Sequence, residues 1–93
     1  MNFEWNEDKA AANPGKHGVS FEEAREVFDD PNALIRYDEK HSVTEDRFII
    51  IGFSSRRLLV VVFAERRDDV IRIISAREAE RREQKRYEEG ETE

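Results

Sequence analysis

A chain of 93 residues is enough for one small domain, and a domain of that size buries only roughly 60–70% of its unfolded surface. The absence of cysteine excludes disulfides, thiol nucleophiles and cysteine zinc sites, and the longest apolar run, Leu58 to Ala64, is too short to span a bilayer. The net charge of −6 argues against broad non-specific nucleic-acid binding.

That charge is unevenly spread. Residues 1–46 carry 12 Asp/Glu against 5 Lys/Arg, whereas residues 47–87 carry 11 Lys/Arg against 6 Asp/Glu. One basic face on an acidic protein can still bind a polyanion. Met1-Asn2-Phe3-Glu4-Trp5 lacks the basic region and apolar run of a signal peptide, which reads as a cytoplasmic protein with no membrane contact. Charged residues make up 41% of the chain, yet the apolar ones cluster into a core, and a single domain over residues 1–93 is expected, with 88–93 a frayed acidic tail.

In chain order, Phe3-Glu4-Trp5 alternates and predicts a short strand. Asn6 can cap a helix with Glu7 and Asp8 at its positive end, and Pro14 should end or kink that helix near Asn13. Lys16-His17-Gly18 follows as a turn, with Gly18 free to take a positive φ. Ser20 and Glu23 make a capping box for a second helix, whose apolar face is Phe21, Ala24, Val27 and Phe28. Asp29-Asp30-Pro31-Asn32 stops it. Residues 33–37 predict an edge strand, and residues 38–45 a charged loop containing His41, from which no role is expected.

Residues 47–54 and 57–66 carry apolar side chains at both parities, so they predict two central strands buried on both faces. A turn at residues 66–69 leads into a last strand, Val70 to Ile74. Ser75, with Glu78 three residues on, predicts the N-cap of a final helix. On that helix Ala76, Ala79, Glu83 and Tyr87 would share one stripe. The order β-α-α-β-β-β-β-α with short late connections predicts an α+β domain, an antiparallel sheet with helices packed on it.

Sequence motifs for phosphate loops, dinucleotide binding, serine hydrolysis and metallopeptidase chemistry are absent. Two histidines far apart make no metal site, and no cofactor is expected. A histidine, a tyrosine, several cations and a few carboxylates remain, the set that metal-free RNA cleavage needs. Arg77 is the leading cation, to be weighed evenly against a rim arginine in a salt bridge. Arg72, mid-strand among apolar neighbours, must be paired or face a cleft. In a regular strand it points away from Arg77, so one shared site would require a bulge or a strand that ends before Arg77. Glu83 suggests an ionic partner among the arginines, and a structural salt bridge with Tyr87 packed as a lid is the commoner alternative to catalysis. Lys16 beside His17 is a possible acid–base pair, against the plainer alternative of a surface turn.

Phe3-Glu4-Trp5-Asn6, Lys9, Asn13, Lys16-His17-Gly18-Val19, Phe21-Glu22-Glu23-Ala24, Val27-Phe28-Asp29-Asp30-Pro31, Arg47, Gly52, Glu65-Arg66 and Arg72-Ile73-Ile74-Ser75-Ala76-Arg77 resemble the BrnT toxins, small RelE-like proteins of bacterial type II toxin–antitoxin pairs. The resemblance spans residues 3 to 88. Pro14-Gly15 departs from it, since relatives keep a helix-compatible pair there. The resemblance implies a RelE-like fold and a ribonuclease that inhibits translation. It also implies a cognate BrnA-like ribbon-helix-helix antitoxin that masks the toxin and represses the operon, so that DNA is met only through the antitoxin. Arg77, His17, Lys16, Arg72, Glu83 and Tyr87 are the catalytic candidates. A non-catalytic module that stabilises a DNA-binding antitoxin is the alternative function.

Overall fold

Five strands form one sheet in the order β1-β5-β4-β3-β2. The computed structural model describes residues 1–67 and 69–90, and in it the strands are β1 (Asn2–Trp5), β2 (Leu34–Tyr37), β3 (Arg47–Phe53), β4 (Leu58–Arg66) and β5 (Val70–Glu78). The helices are α1 (Glu7–His17), α2 (Phe21–Arg25) and α3 (Arg81–Glu89). The two long apolar segments, β3 and β4, lie side by side inside the sheet, and β2 forms an edge, as the pattern of burial at both parities predicts. Of the turn expected at residues 66–69, residue 68 lies outside the described residues, as do 91–93 of the expected tail.

The sheet is mixed rather than wholly antiparallel. β1 runs parallel to β5, with Phe3 opposite Ile71 and Trp5 opposite Ile73, while the other pairs are antiparallel. Its first face carries the main core: Phe21 and Ala24 from α2, with Val19 just before it and Val27 in the 3-10 turn just after it, pack on Ile50, Leu59, Val61, Phe63, Ile71, Ile73 and Ala76. Phe28 meets the rings of Phe3 and Phe63 edge-on at 5.2 and 5.0 Å, a geometry that suits the ring quadrupoles. Gly52 lets this layer close, since a Cβ there would sit 3.1 Å from Ala33 Cβ and 3.2 Å from Val27 O.

Pro14 does not end α1, which runs on to His17 and closes with Gly18 at φ 72°. Gly18 N–H donates to Pro14 O at 2.7 Å, so the last turn is built on the proline's own carbonyl. Asn13 supplies the physical reason. Its Nδ2 donates to both Val19 O and Ala76 O at 2.8 Å, pinning the helix end to β5, and this tertiary anchoring outweighs one missing backbone bond. Lys16 and His17 are therefore helical, and both are exposed. At the next helix Ser20 Oγ accepts from the Glu23 N–H at 3.0 Å, so that cap forms as expected. The Glu23 carboxylate, however, is taken by Arg57 and Ser54 instead of turning back to complete the box.

The largest departure is at β5. Ser75 caps nothing: the strand continues to Glu78, pairing Val60 with Arg77 and Leu59 with Glu78. The helix starts only at Arg81, where Glu83 Oε1 accepts from the Glu80 N–H at 2.8 Å. Ala76 and Ala79 thus lie outside the helix, although they are buried. Nine-residue β4 offers ladder partners over its whole length, and that pairing overrides the weak strand preference of Ser-Ala-Arg-Glu.

Candidate functional site

The second face of the sheet is covered only at one end. Registers place Glu4, Arg72, Ser75, Arg77, Ala64, Val62, Val60, Arg47, Ile49, Ile51 and Arg36 on it. Helix α3 covers Ile51, Leu58, Val60 and Ala79, with Tyr87 packed against them, and leaves the rest of that face open. A bulge decides which arginines reach it. Val62 pairs with Ser75 and Phe63 with Ile73, so Ile74 has no partner, and the extra residue brings Arg72 and Arg77 to the same side.

They still do not form one cluster. Arg72 bonds Glu4 at 3.1 Å, and Glu4 also meets Arg66 at 3.4 Å. Arg66 bonds Glu45 at 2.9 Å, and Glu45 stands 3.8 Å from Arg47. This is a line of alternating charge across the open face. At the other end Arg77 is clamped by both oxygens of Glu83, at 2.9 and 2.5 Å. Lys16 and His17 sit beyond the first face, at the end of α1. Asn13, bound to Ala76 O, ties that helix end to the residue next to Arg77. Of the six residues expected from sequence, the structure thus joins Arg77 with Glu83, brings Tyr87 onto the same helix, and keeps Arg72, Lys16 and His17 apart.

Two polar contacts fasten α3. Besides the Arg77–Glu83 pair, Tyr87 Oη donates to Asp30 Oδ2 at 2.6 Å, and the Phe53 N–H donates to the same oxygen at 2.8 Å. The Arg77 guanidinium holds the Glu83 carboxyl below its ordinary range, against burial, which acts the other way. Burial pushes the Asp30 carboxyl up, but the Tyr87 hydroxyl and two backbone N–H groups more than reverse it. Burial, then the Asp30 charge, pushes the Tyr87 hydroxyl up to about 12. Both carboxyls have folded-state pKa values below their ordinary 4.5 and 3.8. Their stabilisation is thus complete above those values and is lost as pH falls through the folded-state values. NMR shifts of α3 are expected to show the helix loosening as pH falls below the ordinary carboxylate range, with Glu83→Gln weakening the helix at neutral pH and flattening that acid response. The same acid response in wild type and in Glu83→Gln would contradict this.

The open part of the face is a cleft of about 950 Å³. Ile49, Val62, Ile74 and Ser75 form its floor, and Arg36, Lys40, His41 and Arg47 stand along it with Tyr37, Asp38 and Glu39. Its wall is a tied loop. Asp38 N–H donates to Arg47 O at 2.8 Å, the Arg47 N–H donates to Ser42 Oγ at 2.9 Å, and Ser42 Oγ donates to Asp38 O at 2.6 Å. A short helical turn over Glu39–His41 then places His41 Nδ1 within 3.0 Å of Asp38 Oδ2. The Nε of Arg47 is buried and has no hydrogen-bond partner among the described residues, which is costly. Sequence reasoning passed over this loop. The spacing of Asp38 and His41, three apart in a polar turn between two strands, was the available signal. Among the described residues, no three His, Asp or Glu side chains are grouped to hold a metal ion, and no helix is long and apolar enough to cross a membrane.

Comparison with known proteins bears on this arrangement. No curated protein matches the sequence. The crystal structure of the Brucella abortus ribonuclease toxin BrnT is similar in fold, with a TM-score of 0.69 at 24% identity over 87% of this chain and 99% of that one. Residues 5–83 match the family described as "Ribonuclease toxin, BrnT, of type II toxin-antitoxin system". A match over most of the chain, together with that shared fold, places the protein in the BrnT family of ribonuclease toxins of type II toxin–antitoxin systems.

Proposed function

We propose that this chain is a cytoplasmic endoribonuclease that cuts RNA without a metal ion and so arrests translation, and that a BrnA-like ribbon-helix-helix antitoxin neutralises it. DNA is then met only through the antitoxin. The observation that carries the catalytic part is the open cleft, where Arg36, Lys40 and Arg47 gather beside a histidine and one guanidinium nitrogen is buried without a partner. Cations so placed attract a polyanion and stabilise charge that builds on phosphorus. Arg77 is a further cation of the same face in this reading, available to RNA once Glu83 releases it. Arg72, Lys16 and His17 would serve at the periphery, and Tyr87 as part of the cover.

Expressing the protein alone should arrest growth, and co-expressing the neighbouring gene product should relieve it. Purified protein should cleave RNA equally well with and without EDTA. Cleavage that stops with EDTA and returns with a divalent ion would remove the metal-free mechanism. Absence of both arrest and cleavage would favour the partner-binding module instead.

A further inference from the structure

We propose that Asp38 and His41 form the general base of this cleft, with His41 Nε2 taking the proton of an RNA 2′-hydroxyl. The inference rests on the ribonuclease reading above and assigns its proton-transfer group. Asp38 is only 11% exposed, while His41 is 64% exposed, so a fixed carboxylate holds a ring that stands free in the cleft. An ionised carboxylate only accepts hydrogen bonds, so the Nδ1–H donates to it and the lone pair is left on Nε2. This is the tautomer a base needs, with its partner also steadying the imidazolium that forms.

A surface ion pair bracing a loop is the plain alternative. The loop does not need it, because the Asp38–Arg47 backbone bond and the three contacts of Ser42 already close its base. The surroundings also fit a nucleotide. Ile49, Val62 and Ile74 offer an aliphatic floor against which a base can lie, with the cations at the sides. The charged groups that line the cleft with the imidazole are Arg36 from β2, Asp38, Glu39 and Lys40 from its own turn, and Arg47 from β3, while Tyr37, at the rim, packs its ring on Phe48 and donates its hydroxyl to Asp46. Strands β4 and β5 add only uncharged side chains.

The step balances as a transesterification. Nε2 takes the 2′-hydroxyl proton, O2′ bonds to phosphorus, and the P–O5′ bond breaks with its electron pair on oxygen. O5′ takes a proton from water in the open cleft, and the hydroxide left behind is neutralised by the imidazolium. The products are a 2′,3′-cyclic phosphate and a 5′-hydroxyl, so the substrate class is RNA with a free 2′-hydroxyl at the cut. The guanidinium of Arg47 faces the charge that grows on the phosphorane.

The test uses the full chain and a fluorescent RNA oligonucleotide. Wild type should cleave it and leave intact a copy with one 2′-deoxy substitution at the cut site. His41→Ala should lower kcat about a hundred- to ten-thousandfold with KM nearly unchanged. It should also melt as wild type does, lose the rising limb of the wild-type pH–rate profile, and recover partly when imidazole is added. Asp38→Asn should keep the limb with a reduced rate. His41→Ala cleaving at the wild-type rate would overturn the assignment, as would a loss that only tracks unfolding and ignores imidazole. A wild type that cleaves no RNA would instead strike the ribonuclease reading itself.

Discussion

Replacing Arg47 by alanine is expected to slow RNA cleavage by about a hundred- to a thousandfold, the usual cost of losing one well-placed donor to transition-state charge, and to leave the fold intact. Arg47 is half-buried, its Nη2 stands 3.8 Å from Glu45, and its Nε has no partner. An unsatisfied buried N–H costs about 1–3 kcal/mol, so alanine removes a penalty along with the side chain, and the melting temperature should hold or rise. Lysine keeps the charge but not the planar fork that grips two phosphate oxygens, so Arg47→Lys should recover little of the rate. Initial rates and thermal melts on both variants make the check. Unchanged cleavage by Arg47→Ala would remove it from the site, and a loss that matches a fall in stability would make it a packing residue.

The second large effect falls on stability. Asn13→Ala should cost about 2–4 kcal/mol, because two buried carbonyls, Val19 O and Ala76 O, lose their shared donor and each such loss is worth about 1–3 kcal/mol. Water replacing the amide would bring the figure toward the lower end. Asn13→Asp should be no better, since an ionised carboxylate has no hydrogen to give. Urea unfolding reads the change as a lower midpoint at constant slope. A loss under about 1 kcal/mol would mean that neither carbonyl depends on Asn13.

How much of this was legible in the sequence follows from what each segment depends on. β3 and β4 show themselves because burial on both faces imposes apolar residues at both parities, and α1 and α2 begin where Asn6 and Ser20 say they do. The errors arise where distant groups decide. The end of α1 is set by Asn13 reaching a carbonyl 63 residues away, and the extent of β5 by the length of β4. The bulge at Ile74 is a matter of register between two strands and leaves no local mark. At the site, sequence singled out Arg77 and Glu83 and suggested an ion pair between them, which exists. It did not place His41 beside Asp38 in a cleft, because a histidine in a charged loop looks idle until the loop is folded against Arg47.

The parallel pairing of β1 with β5 has a consequence for how the protein is born. Asn2 to Trp5 find their partners at Val70 to Ile73, so β1 stays unpaired during synthesis until β5 has been made. Pairing across such long separations is slow, since the closing entropy is spent before the contacts form. Until residue 76 emerges, α1 has no carbonyl on β5 to seize, and the cleft lacks the floor that Ile74 and Ser75 supply. Until then the apolar side chains of the N-terminal segment lack Ile71, Ile73 and Ala76, on which they pack in the finished fold. The strand that completes the core thus also completes the cleft, and neither forms before β5 is made.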